Sequence, residues 1–428
     1  MKNVRCYLVG GYVRDKILGI KSNDRDYCVV GATPQDMIDA GMQQVGAEFP
    51  VFIDEKGEEY ALARTERKNG KGYHGFEVQY SPDVTLKEDL GRRDLTINAI
   101  AMDSKGEYID PYNGIDDIEN KILRHVNDSF KEDPLRILRL ARFSAKFPDF
   151  SISEDTITLM KDMVEKGEIN DLTPERVTKE TIKALKEERP SNYFKCLEEI
   201  GALEKIMPEV SNLHGVIQPE EHHPEIDSFV HTMMTLDRIS EFTSDPITRF
   251  GALVHDLGKA VTPKEMLPKH HGHEEEGVPI VEKMCNRLKF PKKYMETGMM
   301  ASEHHTRIHR MYESRAKSVD KFFRDINLEK NGGKEKLDRL LLISEADARG
   351  RKNMEDKPYY QADYVKRLSE QWLSISKRDI IKEYNITEFN PKNIDLMNQR
   401  LNSSRQQKMK RHIPKHNESK TKSIDLNP

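Results

Sequence analysis

At about residue 146 the hydrophobic period of this chain changes, and that change limits the folds open to it. Before it, short apolar runs (Tyr7 to Val9, Tyr27 to Val30, Tyr60 to Ala63, Phe76 to Tyr80) alternate with Gly, Pro and Asp, the pattern of strands joined by turns and helices. Beyond it, SEDTITLMKDMVEKGEI and TPERVTKETIKALKEE space their apolar residues by three and four, with Thr173 as a capping residue before Pro174. The expected class is α+β: an α/β head, then a largely all-α remainder. Gln218-Pro219-Glu220 and Asn331-Gly332-Gly333 punctuate that remainder. The expected units are a head over 1–145, a helical neck over 146–220, a His-rich region over 221–330, a helical region over 331–402 and a basic, disordered tail over 403–428. At 428 residues the chain has room for several units, since one domain uses about 150.

Composition excludes more than it selects. A formal net charge of −4 rules out a uniformly basic nucleic-acid binder, although a local basic stripe can still hold phosphate. Cys6, Cys28, Cys196 and Cys285 lie far apart with no CxxC pair, which argues against a zinc ribbon or a disulfide scaffold and for a reducing cytoplasm. No stretch approaches the roughly 20 apolar residues of a membrane span, so a soluble protein with no membrane partner is expected.

In SNDRDYCVV, Asp24 and Asp26 stand one residue apart at the mouth of a β-branched run. Asp is common at turns and strand edges, but residues i and i+2 of an extended strand share a face, where two carboxylates can reach one hard cation such as Mg²⁺. Upstream, LVGGYVRDKILG joins an apolar strand to a helix through Gly10 and Gly11, a turn that lets backbone N–H groups approach an anion. Downstream, EDPLRILRLARF repeats Arg136, Arg139 and Arg142 every three residues. Such a stripe is either a solvated helix face or a forked recognition surface for phosphate and base edges.

Strand, Gly-Gly turn, helix, then a strand with two metal carboxylates resembles the active-site order of the polymerase-β-type nucleotidyltransferases. With RRDLTINAIA, DPYNGIDDIENKILRHV and LTPERV added, about the first 220 residues are similar to the class II transfer-RNA nucleotidyltransferases, the CCA-adding enzymes. The resemblance implies that Asp24 and Asp26 hold Mg²⁺, that Gly11 and Arg14 contact an incoming triphosphate, and that Arg93, Arg139 and Arg142 join the nucleotide site. It further implies that Asp94 addresses the ribose, and that Asp133 and Arg136 present a base-reading edge to CTP or ATP in place of a template. The implied partners are transfer RNA, ATP and CTP, with no DNA, for a monomer or homodimer.

Histidines cluster from His222 to His309, around HPEIDSFVHTMMTL, GALVHDLGKAVTP, HHGHEEEG and SEADARGR. A buried Asp beside His255 in an apolar helix is costly unless it binds something, which favours a ligand role for His255 and Asp256. The region resembles the HD phosphohydrolase domain. That resemblance implies His231, His255, Asp256 and Asp347 as metal ligands, with His273, His304 and His305 nearby, and phosphodiesterase, 2′-nucleotidase and phosphatase activities. Imidazole plus carboxylate suits Ni, Zn, Mn or Fe alike, and the resemblance points to Ni²⁺. A nucleotidyltransferase followed by an HD domain is the order of the bacterial multifunctional members. A poly(A) polymerase, a nucleotide phosphohydrolase whose N-terminal half only senses nucleotide, and a non-catalytic RNA-binding relative are the rival readings.

Overall fold

The computed structural model describes residues 4–45, 51–68, 76–388 and 390–413. The chain divides into two compact units, Met1–Ile206 and Met207–Pro428. In chain order the first unit contains strands β1 (Arg5–Val9), β2 (Asp26–Val30), β3 (Gln43–Val45), β4 (Val51–Ile53), β5 (Glu59–Leu62), β6 (Arg64–Lys68), β7 (Phe76–Tyr80), β8 (Ala101–Met102) and β9 (Tyr108–Ile109). β6 and β7 pair as a separate ribbon, and the other seven form one sheet in the order β3-β4-β5-β2-β1-β8-β9. Its pairs are antiparallel except β2 with β5. β2 lies at the centre and is covered on both sides. Cys28 packs with Val9, Leu90 and Ala101, while its neighbour Val29 packs with Met37, Phe52 and Leu62. That double burial explains why the strand reads as a continuous apolar run rather than an alternating one.

The helices of this unit are α1 (Gly11–Ile17), α2 (Pro34–Asp39), α3 (Leu86–Gly91), α4 (Gly114–Glu119), α5 (Leu135–Lys146), α6 (Glu154–Glu165), α7 (Pro174–Ala184), α8 (Ser191–Glu199) and α9 (Ala202–Ile206). A short parallel pair, β10 (Ile122–Leu123) with β11 (Ser151–Ile152), ties the head to the helices beyond it. α5 buries Ile137, Leu138, Leu140 and Ala141 and packs against α7 and α8. Thr173 takes the capping position of α7 and Pro174 its first turn, but the Thr173 side chain makes no capping bond.

The second unit is helical: α10 (Pro208–Ser211), α11 (Ser228–Phe242), α12 (Pro246–Val254), α13 (His273–Leu288), α14 (Lys292–His309), α15 (Ala316–Asp325), α16 (Gly333–Arg349), α17 (Tyr360–Leu373), α18 (Lys377–Glu383) and α19 (Pro391–Lys410). The expected break at Gln218-Pro219-Glu220 falls inside this unit, in an irregular segment between α10 and α11. Gly258 lets the turn after α12 pass against α13, because a Cβ there would overlap the carbonyl of His273. Among the described residues no helix is long and apolar enough to cross a membrane.

The tail differs from expectation. Residues 403–410, expected to be disordered, continue α19, and Arg405 and Met409 are buried. Met397, Leu401, Arg405 and Met409 recur every four residues, so they form one helical stripe. A charge at the third position disguises it. Arg405 is accommodated by Glu329, 3.0 Å away, and by the Trp372 ring, whose centroid lies 3.6 Å from the guanidinium. Residues 414–428 lie outside the described residues.

Phe322, Phe323, Leu340, Val365 and Leu368 surround Trp372, the chain's only tryptophan, whose Nε1 donates to Asp320 Oδ1 at 2.9 Å. Phe322→Ala removes a fully buried ring and is expected to cost about 3–5 kcal/mol. Denaturant unfolding followed by Trp372 fluorescence measures it, and a loss below about 1 kcal/mol would contradict this packing.

Candidate active sites

The antiparallel register sets Val9 opposite Asp26, which brings the Gly10-Gly11 turn and the first turn of α1 beside the start of β2. Gly10 sits at φ 71°, where L side chains are strained, and a Cβ on it would lie 2.7 Å from Arg93 Nη1. β2 begins at Asp26, so Asp24 is not on the strand as expected but in the irregular residues before it, and both side chains are exposed to solvent. Both still line one cleft of about 540 Å³. Gly11, Arg14, Arg93, Asp94, Asp133, Arg136, Arg139 and Arg142 line the same cleft, so it gathers every nucleotide-site residue named from the sequence.

Asp26 shares the face of Cys28, at the edge of the core. Burial, then the charge of Asp24, raises its pKa, with Glu59 adding to the rise and Arg93 opposing it. Glu59 was not foreseen. It stands opposite Asp26 in the parallel β2–β5 pair, a neighbourhood set by register and invisible to local spacing.

The cationic side chains are held in place by named partners. Arg14 is buried, donating from Nε to Asp15 Oδ1 at 2.8 Å and from Nη1 to Asn98 Oδ1 at 2.5 Å, with Phe143 against its guanidinium. Arg139 meets Asp94 at 2.7 Å. Burial works against ionisation of Asp94, but Arg139, Asn98 and the Leu95 amide outweigh it and hold the carboxyl below its ordinary range. Arg142 bridges Glu180 and Glu187 at 2.9 and 3.0 Å. The two residues expected to present a base-reading edge also carry partners. Arg136 donates to the carbonyls of Ser129 at 2.6 Å and Arg92 at 2.5 Å, and Asp133 accepts from Arg176 at 2.7 Å.

In the second unit, His231 comes from α11, His255 and Asp256 from the end of α12, His273 from the start of α13, His305 from α14 and Asp347 from α16. His255 Nε2 lies 3.1 Å from Asp256 Oδ2, and His231 Nε2 lies 3.1 Å from Asp347 Oδ1. Asp256 Oδ1 faces His273 Nε2 at 3.3 Å and His305 Nε2 at 3.4 Å. The Nδ1 atoms of His255, His273 and His305 point to the carbonyls of Ala252, His270 and Ala301 at 2.7, 2.7 and 2.9 Å. A proton kept on Nδ1 leaves each Nε2 lone pair turned inward, the arrangement of a metal ligand. Asp256 Oδ1 and His255 Nε2 are buried without a hydrogen-bond partner, a need that a cation would meet. The donor set therefore fits a transition metal of imidazole and carboxylate preference.

His304 does not join this centre, contrary to expectation. Successive residues on a helix point about 100° apart, so His304 turns away from His305 and packs edge-on against Phe322. Burial and then Arg307 push its pKa down to about 4. His309 takes the place instead, its Nε2 2.7 Å from Asp347 Oδ2 and its Nδ1 2.8 Å from the Tyr359 hydroxyl. The spacing His305, His309 is the i, i+4 signal that would have found it. Lys259 Nζ, 2.6 Å from Asp256 Oδ2, is a further unforeseen member.

Residues 6–124 match the poly A polymerase head domain, residues 149–213 the probable RNA and SrmB-binding site of polymerase A, and residues 229–351 the HD domain. The chain is 47% identical over 388 residues to a multifunctional CCA protein of Mannheimia succiniciproducens, covering 89% of this chain and 92% of that one. It is 48% identical over 383 residues to one of Teredinibacter turnerae, covering 89% and 93%. Among solved structures, a CCA-adding enzyme in an apo form aligns with a TM-score of 0.63 at 19% identity, over 94% of this chain and 88% of that one. The Thermotoga maritima CCA-adding enzyme complexed with tRNA aligns with a TM-score of 0.59 at 17% identity, over 99% and 91%. The head and its cleft define a nucleotidyltransferase, and the histidine centre an HD domain. The chain belongs to the multifunctional CCA protein family, and it is a CCA-adding nucleotidyltransferase.

The folded pKa of Asp94 lies below its unfolded value near 3.9. Its contribution to stability is therefore complete above about pH 4 and is lost as pH falls through the folded value. Asp94→Asn is expected to cost on the order of 2 kcal/mol at pH 7, since Arg139 is left unpaired but reaches solvent, and to flatten the acid limb of the stability curve. Denaturant melts between pH 3 and pH 7 check both; an unchanged acid limb would refute the assignment.

Proposed function

We propose that the cleft of the first unit completes and repairs the 3′-terminal CCA of transfer RNA, taking CTP and ATP in turn without a nucleic-acid template. The 3′-oxygen of the RNA bonds to the α-phosphorus and pyrophosphate leaves. Asp24 and Asp26, with Glu59 beside them, would hold Mg²⁺, which when bound neutralises the triphosphate and favours ionisation of the 3′-hydroxyl. The Gly10-Gly11 turn gives the triphosphate close access to the amides at the start of α1, and Arg93 adds positive charge next to Asp26. Asp94 and Arg139 fix each other beneath the ribose position, and Asp133 and Arg136 stand at the base end. Because both are engaged by neighbours, base reading uses their outward-facing atoms or requires the Arg176 contact to part. The RNA body is recognised by shape and backbone, through helices with scattered Lys and Arg.

The HD centre acts on phosphate esters as a 2′,3′-cyclic phosphodiesterase, 2′-nucleotidase and phosphatase. His231, His255, Asp256 and Asp347 would hold a transition metal such as Ni²⁺, with His273, His305 and His309 around it. When bound, it supplies a Lewis acid for a phosphate ester and a water. Burial works against ionisation of Asp256, but His255 and then Lys259 outweigh it and hold the carboxyl well below its ordinary range. The cytoplasm is the expected setting.

What supports the reading is the gathering of both carboxylates and the arginines on one cleft, in a chain 47% identical to a multifunctional CCA protein. The test is to incubate the protein with transfer RNA trimmed by three, two or one 3′ nucleotides, offering CTP and ATP separately and together. Products are expected to stop at the completed CCA; oligo(A) tails from ATP alone would replace this reading with a poly(A) polymerase. Asp24→Ala or Asp26→Ala should reduce addition at least about a hundredfold while the fold persists. The double substitution His255→Ala, Asp256→Ala should remove hydrolysis of 2′,3′-cyclic nucleotides and leave CCA addition intact.

A further inference from the structure

Residues 214–228 fall between the stretch matched by the RNA-binding family and the stretch matched by the HD domain. They nevertheless touch the histidine centre at two points. Gln218, 1% exposed, accepts from Lys259 Nζ through Oε1 at 2.6 Å, and the same ammonium reaches Asp256 Oδ2 at 2.6 Å. Glu225, whose side chain is 2% exposed, places Oε1 within hydrogen-bond distance of His223 Nδ1 at 2.9 Å and, as a close charge contact rather than an aligned hydrogen bond, 2.8 Å from His231 Nδ1. His231 thus has a carboxylate on each side: Glu225 at Nδ1 and Asp347 at Nε2.

The backbone between these contacts is strained. Ile226 has φ 61°, a left-handed conformation that a β-branched side chain rarely takes, and the residue stays 39% exposed rather than anchored in a core. Such strain persists only where surrounding contacts over-determine it. Here Ile226 accepts at its carbonyl from Gln218 N at 2.8 Å, while Asp227 caps α11 through Val230 N at 2.9 Å and accepts from Gly215 N at 2.6 Å. Those bonds turn the chain sharply, with Glu225 directed inward toward His231.

We propose that residues 214–228 form a strap that positions the metal ligands of the HD centre, Glu225 by orienting His231 and Gln218 by holding Lys259 against Asp256. A neutral imidazole carries one N–H and one lone pair, so an anion at Nδ1 keeps the proton there and leaves Nε2 to bind. Partners of this kind alter metal affinity by about 10- to 100-fold. The inference rests on the reading that this centre holds a transition metal.

The test titrates the full chain, stripped of metal, with Ni²⁺ and separately with Co²⁺ against a competing chelator, and reads dissociation constant and stoichiometry. Wild type should bind one equivalent. Glu225→Gln should weaken binding about 10- to 100-fold, with thermal midpoint and CCA addition unchanged. Ile226→Gly frees the backbone at the same turn while keeping the carboxylate, and should stay within about threefold of wild type. If wild type bound neither metal, or the His255→Ala, Asp256→Ala variant bound as tightly, the metal reading itself would fail. If wild type bound but Glu225→Gln bound equally well, only the strap would fail. Equal weakening in Ile226→Gly would assign the effect to loosened backbone rather than to the carboxylate. Two equivalents falling to one in Glu225→Gln would make Glu225 a ligand. Either of these results overturns the positioning role.

Discussion

Two carboxylates at the start of a central strand repel each other, and the head is arranged around that repulsion. Asp26 opens β2, whose next residues are buried on both faces, and the register with β1 places it beside the Gly10-Gly11 turn while its own side chain stays exposed at the cleft. Its raised pKa records the cost, with burial the first cause and Asp24 the second. The Arg93 guanidinium works the other way and lowers it. Asp24, Asp26 and Glu59 crowd this end of the cleft, and a divalent cation arriving with a triphosphate would offset their mutual repulsion.

The rest of the cleft shows the opposite treatment of charge. Arg139 meets Asp94, Arg142 meets Glu180, and Arg92 and Arg93 meet Asp89, each anion almost fully buried. Pairing holds all three carboxyls below their ordinary range in spite of burial. These pairs stiffen α5 and its neighbours more than they stabilise the fold, since a buried ion pair roughly recovers its own desolvation. A rigid wall opposite the Asp24 and Asp26 carboxylates suits an enzyme that selects nucleotides without a template, because the protein surface itself must hold the shape that a base pair otherwise supplies.

How much of this could be read from the sequence follows from the range of the interactions. The change of hydrophobic period, the Gly-Gly turn, the Asp24/Asp26 pair and the Arg136, Arg139, Arg142 stripe are local, and the cleft gathers the last three. Glu59 was missed because a parallel register, not spacing, puts it opposite Asp26. His304 is expected near the centre from the resemblance to the HD domain, which carries no orientation for this helix, and a helix turns it away from His305 toward Phe322. The end of α19 was hidden by Arg405, a charge in an apolar stripe whose compensation by Trp372 and Glu329 comes from far along the chain. Glu225 was passed over because its importance depends on the left-handed turn at Ile226, which no propensity favours.

The two centres also differ in how firmly they can hold a metal, and the difference follows from burial. Asp24 and Asp26 are both exposed at an open cleft, so a cation held by them would compete with water and would need further oxygen ligands from outside the protein. At the HD centre, His231, His255, Asp256, Asp347 and His305 are all buried, and most of the imidazoles are already oriented by backbone carbonyls. Preorganised ligands lose little entropy on binding, and the buried unpartnered atoms of Asp256 and His255 gain a partner when a cation enters. Metal in the first site should therefore exchange with each substrate, while metal in the second should remain through purification. Chelation followed by dialysis separates them: CCA addition should return with Mg²⁺ alone, whereas phosphate-ester hydrolysis should return only when a transition metal is restored.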